Sequence, residues 1–162
     1  MGAGRRERLM SKTDHGRELF RLTYASRATP KVIAAFDAEV ASIVNVSQRN
    51  NKLVDVTGLL LAHNGWFVQV LEGPRRQVSA RFARIAADPR HGMLEVFDAS
   101  AVEARLFAAW GMCARRLTPE AAPVLQALEL HADFDPFALT AARALALLQA
   151  VAQVAAPRGK AA

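Results

Sequence analysis

The sequence has little cysteine, no long apolar run and no cluster of metal-binding side chains. Cys113 is the only cysteine among 162 residues, which excludes an internal disulfide and favours a reducing, cytoplasmic compartment. No apolar stretch is long enough to form a signal-peptide core or to span a membrane, so we expect neither secretion nor membrane insertion. The histidines are scattered along the chain, at His15, His63, His91 and His131.

The residue patterns of common catalytic sites are also absent from the sequence. It has no Gly-rich phosphate loop, no pair of nucleophile and base, and no set of His, Cys and Asp with metal-ligand spacing. We therefore expect that the chain is not an enzyme.

An excess of basic residues is the clearest feature of the composition. The formal net charge is +6 and the isoelectric point is near 10.4. Much of the excess lies at the two ends of the chain, at Arg5, Arg6, Arg8, Lys12, Arg17, Arg158 and Lys160. Charged tails explain this pattern, so we expect residues 1–18 to form a disordered basic arm and infer no nucleic-acid binding from charge alone.

The hydrophobic periodicity predicts alternating strands and helices between residues 19 and 114. Alternating apolar residues predict strands, apolar residues at helical spacing predict helices, and His63-Asn64-Gly65 predicts a tight turn. The strands are Leu19–Tyr24, Val54–Ala62, Trp66–Glu72, Leu94–Phe97 and Leu106–Ala114, and the helices are Pro30–Ser47 and a second one from Pro74 to about Asp88. The order is therefore β-α-β-β-α-β-β.

This order predicts an α+β fold with a ferredoxin-like sheet and both helices on one face. Two further helical stretches, starting near Thr118 and Asp135, are expected to cover the other face. We favour this covering role over an independent output domain, because the stretch is short. The expected units are the arm at 1–18, the domain at 19–116, a helical cap at 117–156 and a tail at 157–162.

Gln69 is the most informative polar residue, because it falls inside an apolar strand. It shares a strand face with Phe67 and Leu71, so its amide is expected to be buried. An unpaired buried polar group costs ~1–3 kcal/mol, so the amide needs partners. A neighbouring side chain or a heteroaromatic ligand could supply them, and an ordinary side-chain contact is the simpler explanation of Gln69 alone.

Two other features place polar groups near Gln69. In the predicted topology, the strand that carries Tyr24 lies beside the strand that carries Gln69, so a phenol and an amide can meet. Asn50 and Asn51 fall at the end of the first predicted helix. One asparagine there is ordinarily a C-cap, and the second leaves a side chain that can face the groove between the helices.

Six ordered motifs between Leu19 and Ala114 resemble the BLUF domain, a flavin-binding photoreceptor family. Each motif alone is a weak signal, and their shared order and spacing make the resemblance specific. The motifs are Tyr24-Ala25-Ser26, Ser47-Gln48-Arg49-Asn50-Asn51, Val56-Thr57-Gly58-Leu59-Leu60, Phe67-Val68-Gln69-Val70-Leu71-Glu72-Gly73, Asp88-Pro89-Arg90-His91 and Phe107-Ala108-Ala109-Trp110-Gly111-Met112.

The resemblance implies a noncovalent flavin, usually FAD and alternatively FMN, held between the two helices. Tyr24 matches the electron donor of the family, and Gln69 matches its rotating or tautomerising amide. Asn51 matches the residue that bonds the C4 carbonyl region of the flavin. Positions lining the polar edge, ribityl chain or phosphate are matched by Asn50, Arg84, Asp88, Arg90 and His91; the apolar walls by Ile43 and Ile85; and the neighbours of the Tyr–Gln pair by Ser47, Trp110 and Met112.

Several of these residues have a plain structural explanation as well. Arg84 and Asp88 are spaced for an i, i+4 ion pair on one helix. The Arg90-His91 pair can be part of a solvated loop, and Trp110 and Met112 can be ordinary core residues.

The resemblance also implies how light would act and where the signal would go. Light-driven electron and proton transfer from Tyr24 rearranges the Gln69 hydrogen bonds and slightly red-shifts the flavin absorption. Trp110 and Met112, on one face of the last predicted strand, would pass the change to the C-terminal helices. A homo-oligomer or an unidentified downstream protein would receive it. The alternatives are a ferredoxin-like nucleic-acid-binding module and a flavin-dependent oxidoreductase.

Overall fold

The computed structural model describes residues 16–155. The predicted tail at 157–162 lies outside this range, as does the predicted arm at 1–18 except for its last three residues, which form a turn and a bend. The strands are β1 Leu19–Ala28, β2 Thr57–His63, β3 Trp66–Pro74, β4 His91–Ala101 and β5 Gly111–Arg115. The α-helices are α1 Pro30–Ala34, α2 Phe36–Lys52, α3 Arg75–Ala86, α4 Ala122–Ala127 and α5 Ala141–Ala155. Within 16–155, no helix combines the length and apolar character that a membrane crossing needs.

The five strands form one sheet in the order β4-β1-β3-β2-β5. Strand β3 pairs antiparallel with β1 and with β2, while β5 is added at the edge, parallel to β2. The turn between β2 and β3 is the predicted one, with Asn64 and Gly65 at φ 44° and 76°. The predicted ferredoxin-like order of elements is therefore confirmed, and β3 lies at the centre of the sheet.

Each face of the sheet has its own hydrophobic core. On the first face, which we call the helix face, α2 and α3 pack through Val40, Ile43 and Val78 against β1, β2 and β3. On the second, the cap face, α4 and α5 pack through Leu125 and Leu148 against the opposite side chains of the same strands. The expectation that C-terminal helices cover the second face is confirmed. Ferredoxin-like RNA-binding domains leave that face open, and here it is filled.

The first predicted helix differs from the structure at both ends. Ala35, at φ −130° and ψ 38°, interrupts it and separates α1 from α2. This change of direction leaves Ile33 53% exposed, although its spacing predicts a core position. At the other end α2 continues to Lys52, so Asn50 and Asn51 lie inside its last turn and are not C-caps.

All five strands have bounds that differ from the predicted ones, and β1 and β3 simply continue further, to Ala28 and Pro74. Strand β2 begins at Thr57 and not at Val54, because Asp55 takes a left-handed conformation at φ 55°. Strand β4 is much longer than Leu94–Phe97. Strand β5 begins only at Gly111, so residues 102–110 form a connection and not the first half of a strand. Apolar content alone predicts this connection as strand, since Phe107 is buried and Trp110 half-buried in the cap-face core.

The second C-terminal helix begins later than predicted. Asp135 caps a short 3₁₀ turn, Pro136–Ala138, by accepting a 3.1 Å hydrogen bond from the Phe137 amide. Leu139 then has extended geometry, and α5 starts at Ala141. The Asp135-Pro136 pair therefore starts a helical element as predicted, but this element is a single 3₁₀ turn and not the long helix.

Gly58 is required where β2 meets β3 and β5. A Cβ atom at this position would lie 2.0 Å from the Val70 carbonyl oxygen, which is part of the sheet backbone and cannot move away. We therefore expect Gly58→Ala to lower the free energy of unfolding by about 2–3 kcal/mol. Chemical denaturation measures this change.

Gly111→Ala is the matched control, because Gly111 is the β5 partner of Gly58. A Cβ atom there meets nothing within 4 Å, so we expect a change below about 0.5 kcal/mol. Equal effects of the two substitutions would contradict the steric explanation.

Candidate functional site

A cavity lies between α2 and α3 above the helix face of the sheet. It encloses about 710 Å³ of space free of protein atoms, part of it open to solvent. Helix α2 supplies one wall, α3 and the α3–β4 loop supply the other, and β2 and β3 form the floor. The lining residues are Ile43, Val46, Ser47, Asn50, Asn51, Leu60, Gln69, Leu71, Arg81, Arg84, Ile85, Asp88, Arg90 and His91.

All nine residues predicted to contact a cofactor line this cavity, and so does Ser47. The sequence prediction did not include Val46, Leu60, Leu71 and Arg81. Leu71 shares the strand face of Gln69, and Arg81 lies one turn before Arg84 on α3, so both positions carry a signal in the sequence. Tyr24, Trp110 and Met112 are not among the residues that line the cavity.

Gln69 and Tyr24 are direct partners across β1 and β3. The Tyr24 hydroxyl donates a hydrogen bond to Gln69 Oε1, and Gln69 Nε2 donates to the Met112 sulfur at 3.0 Å. The Gln69 amide therefore lies between a phenol and a thioether, with one edge toward the cavity. The predicted meeting of phenol and amide is present.

Tyr24 is fully buried beside Gln69. Its ring packs edge-on against Phe82 of α3, with centroids 5.4 Å apart. Burial, with a smaller contribution from the negative charge of Asp88, raises the pKa of Tyr24 above its ordinary value of 10.0. The phenol therefore keeps its proton across the pH range in which proteins are folded.

Asn51 presents an unsatisfied amide to the cavity. Its side chain is 3% exposed and forms no hydrogen bond with residues 16–155, although its backbone carbonyl accepts from Val54 and Val56. An amide that lines the cavity without a protein partner is free to bond a polar group that enters it. Ile43 and Ile85 face the cavity from the two helices and supply apolar walls.

The polar end of the cavity carries several guanidinium groups. Arg81 donates a 2.6 Å hydrogen bond to the Asn50 carbonyl and so joins α3 to the end of α2. Arg84 forms no ion pair or hydrogen bond within the described chain, and the i, i+4 pair with Asp88 is not formed. Asp88 pairs with Arg90 instead, at 2.6 Å.

The Asp88–Arg90 pair holds the α3–β4 loop at the mouth of the cavity. Hydrogen bonds from the Arg90 side chain and backbone lower the pKa of Asp88, and Asp88 in turn raises the pKa of Arg90. Arg90 also reaches Glu39 of α2 at 3.6 Å. Arg90 is therefore part of an organised polar cluster and not of a freely solvated loop.

His91, the first residue of β4, lies between this polar cluster and the sheet. Its Nδ1 atom is 2.8 Å from the Ser26 hydroxyl, and its ring lies against Phe67 with centroids 5.1 Å apart. Burial lowers the pKa of His91, against an opposing effect of Asp88. The imidazole is therefore neutral at pH 7 and can accept as well as donate hydrogen bonds.

Trp110 and Met112 do not share a strand face, contrary to the sequence prediction. Trp110 precedes β5 and packs in the cap-face core, whereas Met112 lies in the helix-face core beside Gln69. The cause is a bulge in the parallel pair, where Gly58 and Leu59 oppose Gly111 and Cys113 and leave Met112 unpaired at φ 79°. Trp110 therefore faces α5, near Gln149 and Gln153.

Comparison with known proteins agrees with this geometry. The family model described as BLUF, sensors of blue-light using FAD, matches residues 19–113. A photoactivated adenylate cyclase subunit beta from Euglena gracilis is 36% identical over 86 residues, which are 53% of this chain and 10% of the relative. The blue light- and temperature-regulated antirepressor BluF from Escherichia coli (strain K12) is 36% identical over 74 residues, 46% of this chain and 18% of the relative.

The chain thus spans less than a fifth of the length of these two curated relatives. A solved structure matches over nearly its whole length. The dark-state structure of BlrB, a BLUF protein, superposes with a TM-score of 0.64 and 34% identity, covering 81% of this chain and 97% of BlrB.

The lowered pKa of His91 predicts a loss of stability in mild acid. Below the ordinary histidine value of 6.5 the unfolded chain binds a proton that the folded protein resists, so stability falls as the pH drops. One such group contributes at most about 1.4 kcal/mol per pH unit. We expect His91→Asn to flatten the decrease in unfolding free energy between pH 7 and 5, measured by chemical denaturation.

His131→Asn is the control, because His131 is exposed and away from the cavity. It should leave the pH dependence unchanged. Burial also lowers the pKa of His63, so part of the slope remains in His91→Asn. A slope as steep as that of the parent protein would show that His91 is not resisting protonation.

Proposed function

Because the chain belongs to the BLUF family of flavin-binding blue-light sensors that use FAD, we propose that its light response runs through Tyr24, Gln69 and Met112. The observation that carries this proposal is the position of the Gln69 amide. It joins the phenol to the thioether and presents one edge to the cavity.

The cavity suits a flat ring system with an apolar middle and polar edges. We propose that Ile43 and Ile85 hold the two faces of the flavin ring, while Asn51 and Gln69 bond its heteroatoms. The unpartnered Asn51 amide supports this assignment. Asn50, Arg84, Asp88, Arg90 and His91 would serve the remaining polar edge and the ribityl phosphate, and FMN would offer the same groups as FAD up to its first phosphate.

Tyr24 is the only tyrosine of the chain and is placed for redox chemistry. The bound flavin supplies absorption of blue light and, once excited, a strong oxidant. Tyr24 would supply the electron that such an oxidant takes, and its hydroxyl would pass its proton toward Gln69 Oε1 and recover it when the dark state returns. The raised pKa of Tyr24 supports this coupling, because the proton does not leave before the electron.

Gln69 acts as the switch, because its amide has a nearly symmetrical shape. After rotation, Nε2 faces the Tyr24 hydroxyl, which can accept, and Oε1 gives up its present partner. Tautomerisation would redistribute the same donors and acceptors without rotation. Rotation breaks two hydrogen bonds of Gln69, and one of them is the weak bond from Nε2 to the Met112 sulfur. Net hydrogen bonds are worth only ~0.5–1.5 kcal/mol each, so the altered arrangement relaxes thermally without any covalent adduct.

The output of the switch is proposed to pass from Met112 to the C-terminal cap. Met112 contacts Gln69 on the helix face, and Trp110, two residues earlier, lies against α5 on the cap face. The segment between them therefore crosses from one core to the other. We propose that residues 117–156 relay its movement to a homo-oligomer interface or to a downstream protein in the cytoplasm, and that the chain itself catalyses no reaction.

Replacing Gln69 tests the switch directly. Gln69→Leu keeps the volume but removes both hydrogen-bonding groups, so we expect a yellow protein that has lost the reversible red shift under blue light. Absorption spectra before and after illumination measure this. Gln48→Leu, on the exposed side of α2, is the control and should keep the full shift. A normal shift in Gln69→Leu would disprove the proposal.

Replacing Asn51 tests the position of the flavin. Asn51→Ala removes the buried amide that faces the cavity, and we expect flavin affinity to fall by about tenfold, the effect of ~1–2 lost hydrogen bonds. Titration followed by quenching of flavin fluorescence gives the dissociation constant. Asn45→Ala, on the exposed side of the same helix, should leave it unchanged. Equal affinities of the two variants would exclude Asn51 from the site.

A further inference from the structure

Glu72 is a fully buried carboxylate outside the cavity. It lies three residues after Gln69 on β3, and its side chain is 0% exposed. Arg21 of β1 pairs with it at 2.6 Å, and the backbone amides of Leu106 and Phe107 donate to its two oxygens at 3.0 and 2.9 Å. A buried charge whose two oxygens accept three hydrogen bonds is a specific construction, since burying a charge without partners is strongly unfavourable.

These contacts hold the connection between β4 and β5 onto the centre of the sheet. Arg21 also donates to the Ala104 carbonyl at 3.1 Å. Arg105, the residue before Leu106, donates to the Thr57 hydroxyl and to the Asp55 carbonyl and forms a 2.8 Å ion pair with the Asp55 carboxylate. The start of the segment at 106–112 is therefore attached to β3, and also to β1 and to the beginning of β2.

The other end of the same segment returns to β3. The Trp110 amide donates to the Phe107 carbonyl at 3.0 Å, and the Trp110 carbonyl accepts from Gly58 at 2.8 Å. Two residues later, the Met112 sulfur accepts from Gln69. The segment thus spans two side chains of one strand, with Glu72 holding its beginning and Gln69 contacting its end.

We propose that Glu72 is a positioning residue of the photocycle, which anchors the 106–112 segment so that the Met112 sulfur meets the Gln69 amide. The inference rests on the proposed Gln69 switch. It adds that Glu72 influences the rate at which the switch returns thermally to the dark state. When the amide leaves Met112, Glu72 still holds Leu106 and Phe107. Displacement is confined to the few residues up to Met112, and the sulfur is kept near the position to which the amide must come back.

The dark-recovery rate of the flavin-loaded protein tests this inference. Glu72→Gln keeps the shape but loses the charge and one acceptor, so the segment samples more positions. We expect recovery to slow about threefold or more, the kinetic effect of one weakened hydrogen bond. The dark absorption maximum, the size of the red shift and flavin affinity should be unchanged, because Glu72 does not line the cavity. Unchanged or faster recovery overturns the inference.

A double-mutant cycle separates positioning from general stabilisation. Met112→Leu removes the sulfur acceptor at nearly constant volume and should also slow recovery. If Glu72 acts through Met112, adding Glu72→Gln to Met112→Leu has little further effect. Fully additive effects on the rate would mean that Glu72 only stabilises the fold, and would overturn the inference. Glu103→Gln is the control, since Glu103 is exposed in the same connection and forms no side-chain bond within residues 16–155.

A second variant covers the case in which Glu72→Gln does not fold. Arg105→Gln loosens the same segment from a less buried position, and recovery should slow by about twofold. An unchanged rate of dark recovery in Arg105→Gln overturns the inference.

The outcomes also distinguish this inference from the proposed switch. Normal recovery in these variants, together with loss of the red shift in Gln69→Leu, rejects the role of Glu72 and leaves the switch intact. A red shift that persists in Gln69→Leu rejects the switch and this inference with it.

Discussion

The arrangement of the site depends on one buried amide. Gln69 lies at the centre of the sheet, where an unpaired polar group is costly, and its two ends are satisfied by the Tyr24 hydroxyl and the Met112 sulfur. One partner is a strong donor and the other is a weak acceptor. The amide is therefore held in one orientation by one strong and one weak hydrogen bond. A small change in the strength of either bond is enough to reorient it.

The rest of the fold buries this amide and leaves one edge of it facing the cavity. Helices α2 and α3 stand apart on the helix face, and the cavity between them reaches down to β3. The cap helices fill the opposite face, so that β3 is buried on both sides. Burial of Tyr24 itself raises the pKa of its phenol, and Gln69 is only 4% exposed, so little water competes for the hydrogen bond between them.

Sequence reasoning predicted the site more completely than the element bounds. The nine cofactor positions carried over from the family all line the cavity, although they come from α2, β3, α3, the loop after it and the start of β4. Helix and strand ends were less well predicted, because the interruption at Ala35 and the left-handed Asp55 are set by packing and have no distinct local signal. Glu72 has such a signal, a charge within an apolar strand, but its partners Arg21, Leu106 and Phe107 are far from it in the chain, so only the tertiary structure shows what it binds.

The sequence by itself determined the order of the elements, the turn at Asn64-Gly65 and the burial of Gln69, since periodicity and turn chemistry are local properties. Tertiary structure alone decided which residue Gln69 contacts on its second side. Alternation along a regular strand would place Trp110 and Met112 together. The bulge opposite Gly58 separates them, sending Met112 to the amide and Trp110 to the cap. That bulge arises from the pairing of β5 with β2, which are about 50 residues apart in the chain, so no local pattern encodes it.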